Sequence, residues 1–178
     1  PTPEQREYMY HWLRKTRNGE TGKPVFVMDF QDDGEYVGGC IAGGRNYFHI
    51  NSAGDMEPCV FIHFSDSNIR EKTILEGLRS PLFMAYRRNQ PFNDNHLRPC
   101  PMLENPQCLR SLIKETGAKS TNLLGEETVE SLCSKCDKFA AEWAPQAERI
   151  WNSTKHPNPK TQYYRDTPEG KAEAQSKK

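Results

Sequence analysis

Cys40-Ile41-Ala42-Gly43-Gly44-Arg45-Asn46-Tyr47-Phe48-His49-Ile50-Asn51-Ser52-Ala53-Gly54-Asp55-Met56-Glu57-Pro58-Cys59 is the stretch around which the rest of this chain is organised. Tyr47, His49 and Asn51 alternate with Phe48 and Ile50, the period of a strand. Ser52-Ala53-Gly54-Asp55 supplies turn chemistry, with Gly54 suited to a positive φ, and Val60 to Phe64 resumes a β-rich run. The reading is a β-hairpin with a cysteine on each flank. Antiparallel pairing folds the chain back on itself, so two thiols 19 residues apart are expected to meet at the open end, where a metal or cluster could take both. Pro58 removes a ladder donor and stiffens the approach to Cys59.

The flanks add detail. Gly38-Gly39 and Gly43-Gly44 surround Cys40. Glycines allow the close backbone approach with which amide N–H groups turn toward an anionic group, although an ordinary glycine-rich turn has the same composition. Arg45 is read either as a partner for a substrate carboxylate or cluster charge, or as an exposed arginine. His49 and His63 are read as hydrogen-bonded strand residues, with metal ligation as the alternative.

A cysteine, 13 residues, a glycine, four residues and a second cysteine resembles the opening of the SPASM/Twitch auxiliary cluster domains of radical S-adenosylmethionine (SAM) enzymes. The similarity continues through Asn68-Ile69 and Ile74-Leu75-Glu76-Gly77-Leu78-Arg79-Ser80-Pro81, covering roughly residues 36 to 100. The resemblance implies that Cys40 and Cys59 flank the hairpin and bind an auxiliary [4Fe–4S] cluster. Cys100 is expected to be the third ligand, from its position in the resemblance and from its frame of Pro99 and Pro101, which holds the backbone extended and stiff. Arg98 beside it is expected to favour the thiolate.

The fourth ligand is left open among Cys136, Cys133, Cys108, His96 and an exogenous group. Cys133-Ser134-Lys135-Cys136 has metal-ligand spacing, but in mid-helix Cys136 also fits an apolar stripe, so core packing is the competing use. The cysteine run Cys-x2-Cys-x5-Cys-x3-Cys of a full SPASM domain is absent, which favours one auxiliary cluster over two.

Along the chain, Thr2, Pro3 and Gln5 form a capping box for a helix over residues 1–17 that buries Tyr8, Met9, Trp12 and Leu13 on one face. Val25 to Phe30 is expected to be a strand, and helix plus strand together resemble the last βα piece of a partial TIM barrel, so the polypeptide is expected to continue upstream. Asn68 with Glu71 is expected to start a helix burying Ile74, Leu75 and Leu78. Further helices follow over Leu82–Arg88, from Asn105-Pro106 to Gly117, and from Glu126-Glu127 with a restart at Pro145. The fold class is α+β: a small sheet followed by several helices, Twitch/SPASM-like. The expected units are 1–35 (end of a barrel-like region), 36–151 (auxiliary cluster domain) and 152–178 (a lysine-rich disordered tail).

Composition excludes several classes. Lys and Arg number 24 against 24 Asp and Glu, so no general field favours nucleic acid or a membrane as partner. No apolar run approaches the roughly 18 residues of a membrane span and no signal-peptide pattern opens at Pro1, so the expected compartment is the cytoplasm. Six cysteines there argue for metal binding or burial rather than disulfides. Hydrophobic residues are 35% and mean hydropathy is −0.88, lean enough that apolar surface is expected to meet a partner domain.

The functional expectation is a C-terminal auxiliary cluster domain serving substrate binding or electron transfer, partnered by an upstream radical SAM barrel. The three-cysteine motif Cys-x3-Cys-x2-Cys is absent from these residues, so SAM and its own cluster would belong to that barrel, and whether the chain is part of an enzyme depends on it. The alternative is a non-catalytic zinc-binding interaction module. The substrate is not legible.

Overall fold

The computed structural model describes residues 1–23, 25–29, 32–156 and 162–176. Among these, the chain is α+β, with seven α-helices and two small antiparallel sheets. The sheets are β1 (His49–Ile50) with β2 (Met56–Glu57), and β3 (Phe64–Ser65) with β4 (Lys119–Ser120). The helices are α1 (Pro3–Arg17), α2 (Gly34–Val37), α3 (Ile74–Gly77), α4 (Pro81–Arg88), α5 (Pro106–Thr116), α6 (Val129–Ser153) and α7 (Pro168–Ser176).

Local chemistry sets most of the helix ends. Thr2 and Gln5 close the expected capping box on α1, and Asn18 ends it. Ser80 caps α4, whose Leu82, Phe83 and Tyr86 are buried. Gly117 ends α5 in the left-handed region that a glycine enters freely. The main core joins α4, α5 and the start of α6 through Leu82, Tyr86, Leu109, Leu112 and Leu132, and Cys40, Cys59 and Tyr47 pack against it. A second core sets Tyr10 of α1 against Trp143, Ala147 and Ile150 of α6 and against Leu97.

Several expectations are corrected. Val25–Asp29 pairs with no strand: Val25, Phe26 and Met28 lie exposed, and Arg17 donates to the Val27 carbonyl instead; Phe30 lies outside the described residues. A β-rich run needs a neighbouring strand to satisfy its ladder, and none of the described residues provides one. On α1, Tyr8, Met9 and Trp12 are exposed, and the large apolar side chains turned inward are Tyr10 and Leu13.

Within Val60–Phe64, Val60 and Phe61 occupy a tight turn closed by the Ile62 N–H on the Cys59 carbonyl, so the strand is reduced to Phe64–Ser65. Asn68 caps a turn rather than a helix: its Oδ1 accepts the Arg70 N–H, and its Nδ2 donates to Asp55 and the Ala53 carbonyl. The helix starts later, where Thr73 and Glu76 form the capping box, and its single turn leaves Ile74 and Leu75 exposed.

Pro145 does not restart α6. The helix runs through it because Trp143, Ala147 and Ile150 are buried on both sides of the lost hydrogen bond. The region taken for a disordered tail is structured over 162–176: a 3-10 turn (Tyr164–Asp166) leads into α7, and Arg88 of α4 pairs with Glu173. Tyr163 reaches back to the Gly38 carbonyl.

Candidate functional site

The ladder alone does not bring the two cysteines together. The register His49↔Glu57 extends by two residues to place Tyr47, not Cys40, opposite Cys59, and the Tyr47 hydroxyl sits 2.7 Å from Cys59 Sγ. Cys40 arrives by a separate turn. The Asn46 N–H closes on the Ile41 carbonyl, and the Gly43 N–H donates to the Pro58 carbonyl at 2.9 Å, tying the loop after Cys40 to the residue before Cys59.

Gly43 and Gly44 adopt φ of +68° and +73°. A Cβ at Gly43 would lie 2.1 Å from the Tyr86 ring, so bare backbone is what admits that ring beside Cys40. The Tyr86 hydroxyl lies 3.2 Å from Cys40 Sγ.

Cys100 comes from the opposite side, on the loop between α4 and α5. The Leu103 N–H donates to its sulfur at 3.3 Å. Its own N–H is held by Glu104 Oε2 at 2.6 Å, and its carbonyl accepts from the Asn105 side chain at 3.0 Å. The loop is thus fixed by hydrogen bonds as well as by its two prolines.

The three thiols share one electrostatic neighbourhood. Burial pushes Cys40 up to about 11, with its bonds to Tyr86 and the Ala42 amide opposing and the Cys59 charge adding. Burial also pushes Cys100 well above the usual thiol range, and the charges of Glu104 and Cys40 add to it. The phenols of Tyr47 and Tyr86 are both raised, first by burial, then by interactions that include all three cysteines. Arg98 does not promote the Cys100 thiolate as expected. Its guanidinium turns to Glu148 and the Glu104 carbonyl, and the thiol it favours is Cys108.

The other fourth-ligand candidates lie elsewhere. Cys133 and Cys136 sit on α6, buried, and Cys133 belongs to the main core. Burial pushes Cys133 up to about 11, and the charged neighbours acting on it are Arg110, Cys136, Asp137 and Glu130. Cys108 is half-buried in the first turn of α5. His96 faces Trp151 at 5.6 Å, and its imidazole is held below the usual range by burial and by Arg45. Among the described residues, no three His, Cys, Asp or Glu side chains close around a single metal position.

His49, on β1, bonds through Nδ1 to the buried Glu57 at 2.7 Å, in agreement with its reading as a hydrogen-bonded strand residue, whereas His63 lies just before β3 with its Nδ1 3.6 Å from the same carboxylate. Arg45 is held by the carbonyls of Gly38 and Cys40 beside the Tyr163 ring.

Three participants were not legible. Tyr47 and Tyr86 read as ordinary strand and helix aromatics, although extending the hairpin register would have placed Tyr47 opposite Cys59. Glu104 is fully buried between Cys100 and Arg6 of α1, which contacts it from 98 residues away at 2.5 Å. Comparison with known proteins returned no matching family model, no similar curated protein and no similar solved structure.

Proposed function

We propose that Cys40, Cys59 and Cys100 hold an auxiliary [4Fe–4S] cluster and that this chain is the SPASM/Twitch-like C-terminal domain of a radical SAM enzyme. The observation that carries the reading is the hydrogen bond from the Gly43 N–H to the Pro58 carbonyl, which ties the loop after Cys40 to the residue before Cys59, together with the Leu103 N–H that donates to Cys100 Sγ at 3.3 Å. Burial disfavours the free thiolates of Cys40 and Cys100, so a metal that bound them would have to supply the charge that offsets the cost of deprotonating them.

Three thiolates are a donor set that either an iron–sulfur cluster or a zinc ion can take. Amide N–H groups aimed at ligand sulfurs are among the features that set a cluster's potential. The chain's own residues would supply three thiolates and a stiff frame. Such a cluster would supply electron transfer, or a binding position for substrate at an iron that lacks a fourth protein thiolate. The candidates Cys133, Cys136, Cys108 and His96 face other neighbours, which favours an exogenous fourth ligand.

The partner in this reading is an upstream barrel. The exposed side chains of Val25, Phe26 and Met28, together with Tyr8 and Trp12 of α1, supply apolar surface for it to cover. SAM and its own cluster belong to that barrel.

The test is anaerobic reconstitution with iron and sulfide, followed by iron and acid-labile sulfide analysis, absorbance, and EPR after reduction. About four irons and four sulfides per chain, lost in Cys40→Ala, Cys59→Ala and Cys100→Ala, are expected for such a cluster. Stoichiometric zinc without sulfide after anaerobic purification would replace this reading with a zinc-binding interaction module.

A further inference from the structure

The buried arginines of this chain are answered by carboxylates. Arg6, Arg14, Arg17, Arg98 and Arg110, all buried or half-buried, pair with Glu104, Glu35, Asp33, Glu148 and Asp137. Arg87, near the end of α4, is the contrast. It is half-buried as well, but it pairs with no carboxylate among the described residues: its Nη2 donates to the Leu78 carbonyl and lies 3.0 Å from Met84 Sδ. Burial acts against the Arg6 and Arg14 guanidiniums too, yet their carboxylates more than offset it and hold both above the ordinary range. Arg87 is left below that range, by burial first, opposed by Tyr164 and reinforced by the charges of Arg79 and Arg88.

Arg87 is one wall of a cleft of about 230 Å³, and Arg45, from the loop after Cys40, is another. The carbonyls of Gly38 and Cys40 accept from Arg45 Nη1 at 3.0 and 2.7 Å, so neutral acceptors anchor this guanidinium. Arg165 adds a further cation over the Tyr163 ring, at 5.5 Å. Glu173 of α7 is taken by Arg88 and the Tyr164 hydroxyl. A chain of zero formal net charge thus gathers cations around one cleft.

We propose that the cleft between Arg45 and Arg87 binds the phosphoryl group of a small phosphate monoester. Planar guanidinium forks match the oxygens of a tetrahedral oxyanion, and a doubly charged one balances both cations where a monocarboxylate balances one. The cleft is smaller than the roughly 300–1,000 Å³ that holds a drug-sized ligand, so it suits the anionic group with a small organic body beside Tyr163 and Tyr164. Those two residues precede α7, and the Tyr163 hydroxyl donates to the Gly38 carbonyl, so the bound anion joins that segment to α4 and to the Arg45 loop. The inference uses no thiol and no metal, and it stands apart from the cluster reading.

The experiment titrates the full chain and its variants Arg87→Gln and Arg87→Lys with phenyl phosphate, read by phosphorus NMR at constant ionic strength, with circular dichroism to confirm the fold. A second measurement needs no variant. Wild-type arginines are modified with phenylglyoxal and mapped by mass spectrometry, alone and with phenyl phosphate or acetate at matched ionic strength.

Support would be saturable binding to wild type that weakens by about tenfold or more in Arg87→Gln, and by less in Arg87→Lys, which keeps the charge and loses the fork. Phenyl phosphate should also slow modification of Arg87 while leaving the exposed Arg70 unaffected, and acetate should not. Equal protection by acetate, no protection at Arg87, or a folded Arg87→Gln that binds as wild type does would overturn the proposal. If Arg87→Gln does not fold, the protection pattern in wild type decides. None of these outcomes bears on the cluster, which iron and sulfide analysis tests separately.

Discussion

Glu104 Oε2 accepts the backbone N–H of Cys100 at 2.6 Å, while its Oε1 receives Arg6 Nη1 from α1 at 2.5 Å. One fully buried carboxylate therefore connects the amino-terminal helix to the loop presenting the third thiol. Arg6 is itself buried: it also bonds Asp32 and the Leu97 carbonyl and lies over the Trp143 ring at 4.6 Å. Burial pushes the Glu104 carboxyl up while the Arg6 charge opposes it, so the ionised pair depends on both partners being present.

Arg6→Ala is expected to cost about 3–5 kcal/mol, because it leaves two buried carboxylates without their cation. Urea denaturation measures it directly. Glu104→Gln keeps the shape and one acceptor for the Cys100 N–H. It should cost less than Arg6→Ala while lowering the iron retained after reconstitution, and full retention would show that the Glu104 contact does not hold the Cys100 loop.

Asp32 gives the fold a pH dependence of definite sign. Burial pushes its carboxyl up to about 6, with Arg6 opposing and Asp29 adding, from an ordinary value of 3.8. The folded chain thus holds this proton more tightly than the unfolded chain. The group's contribution to stability is full below about pH 4, declines as pH rises toward 6, and is level above that. Urea midpoints of wild type and Asp32→Asn between pH 4 and 7 should differ in slope by an amount on the order of 2 kcal/mol over that window. Parallel profiles would contradict the assignment.

Gly43 and Gly117 have nearly the same backbone, φ +68° and +66°, but different surroundings. Gly117→Ala meets no atom within 4 Å and should cost only the left-handed penalty, about 1–2 kcal/mol. Gly43→Ala also drives a methyl into the Tyr86 ring and should cost about 2–5 kcal/mol. It should also disturb the Tyr86–Cys40 contact, which near-ultraviolet circular dichroism would register as an altered tyrosine signal in Gly43→Ala and not in Gly117→Ala.

The proposed cluster makes Cys133 a packing thiol and Cys100 a ligand, a division that two variants test. It is fully buried in the main core, so Cys133→Ala should lower stability by about 1 kcal/mol through the small cavity it leaves, with cluster stoichiometry unchanged. Cys100→Ala should abolish the cluster. Iron and sulfide analysis of the two variants side by side checks the division, and loss of iron in Cys133→Ala would make Cys133 a ligand.

What could be read along the chain was set by neighbours in sequence. The capping box of Thr2 and Gln5, the hairpin turn at Gly54, the stop at Gly117 and the buried stripe from Val129 to Trp143 all depend on contacts within a few residues, and the structure carries each of them. The failures were of another kind. Val25–Asp29 has strand composition without a strand to pair with, Asn68 had a closer use for its side chain in Asp55 and Ala53, and Pro145 was overridden by packing on both sides of it.

The same division runs through the site. The three cysteines were legible by type, spacing and proline frame. Their meeting was expected from the hairpin ladder, but what surrounds them was not legible: the Gly43–Pro58 hydrogen bond, the ring of Tyr86 passing over a bare glycine, and a carboxylate joined to an arginine 98 residues away. Local chemistry along the chain chose the elements and marked the thiols. Only the tertiary fold chose what surrounds them, because burial, register and charge pairing arise between segments that sequence order keeps apart.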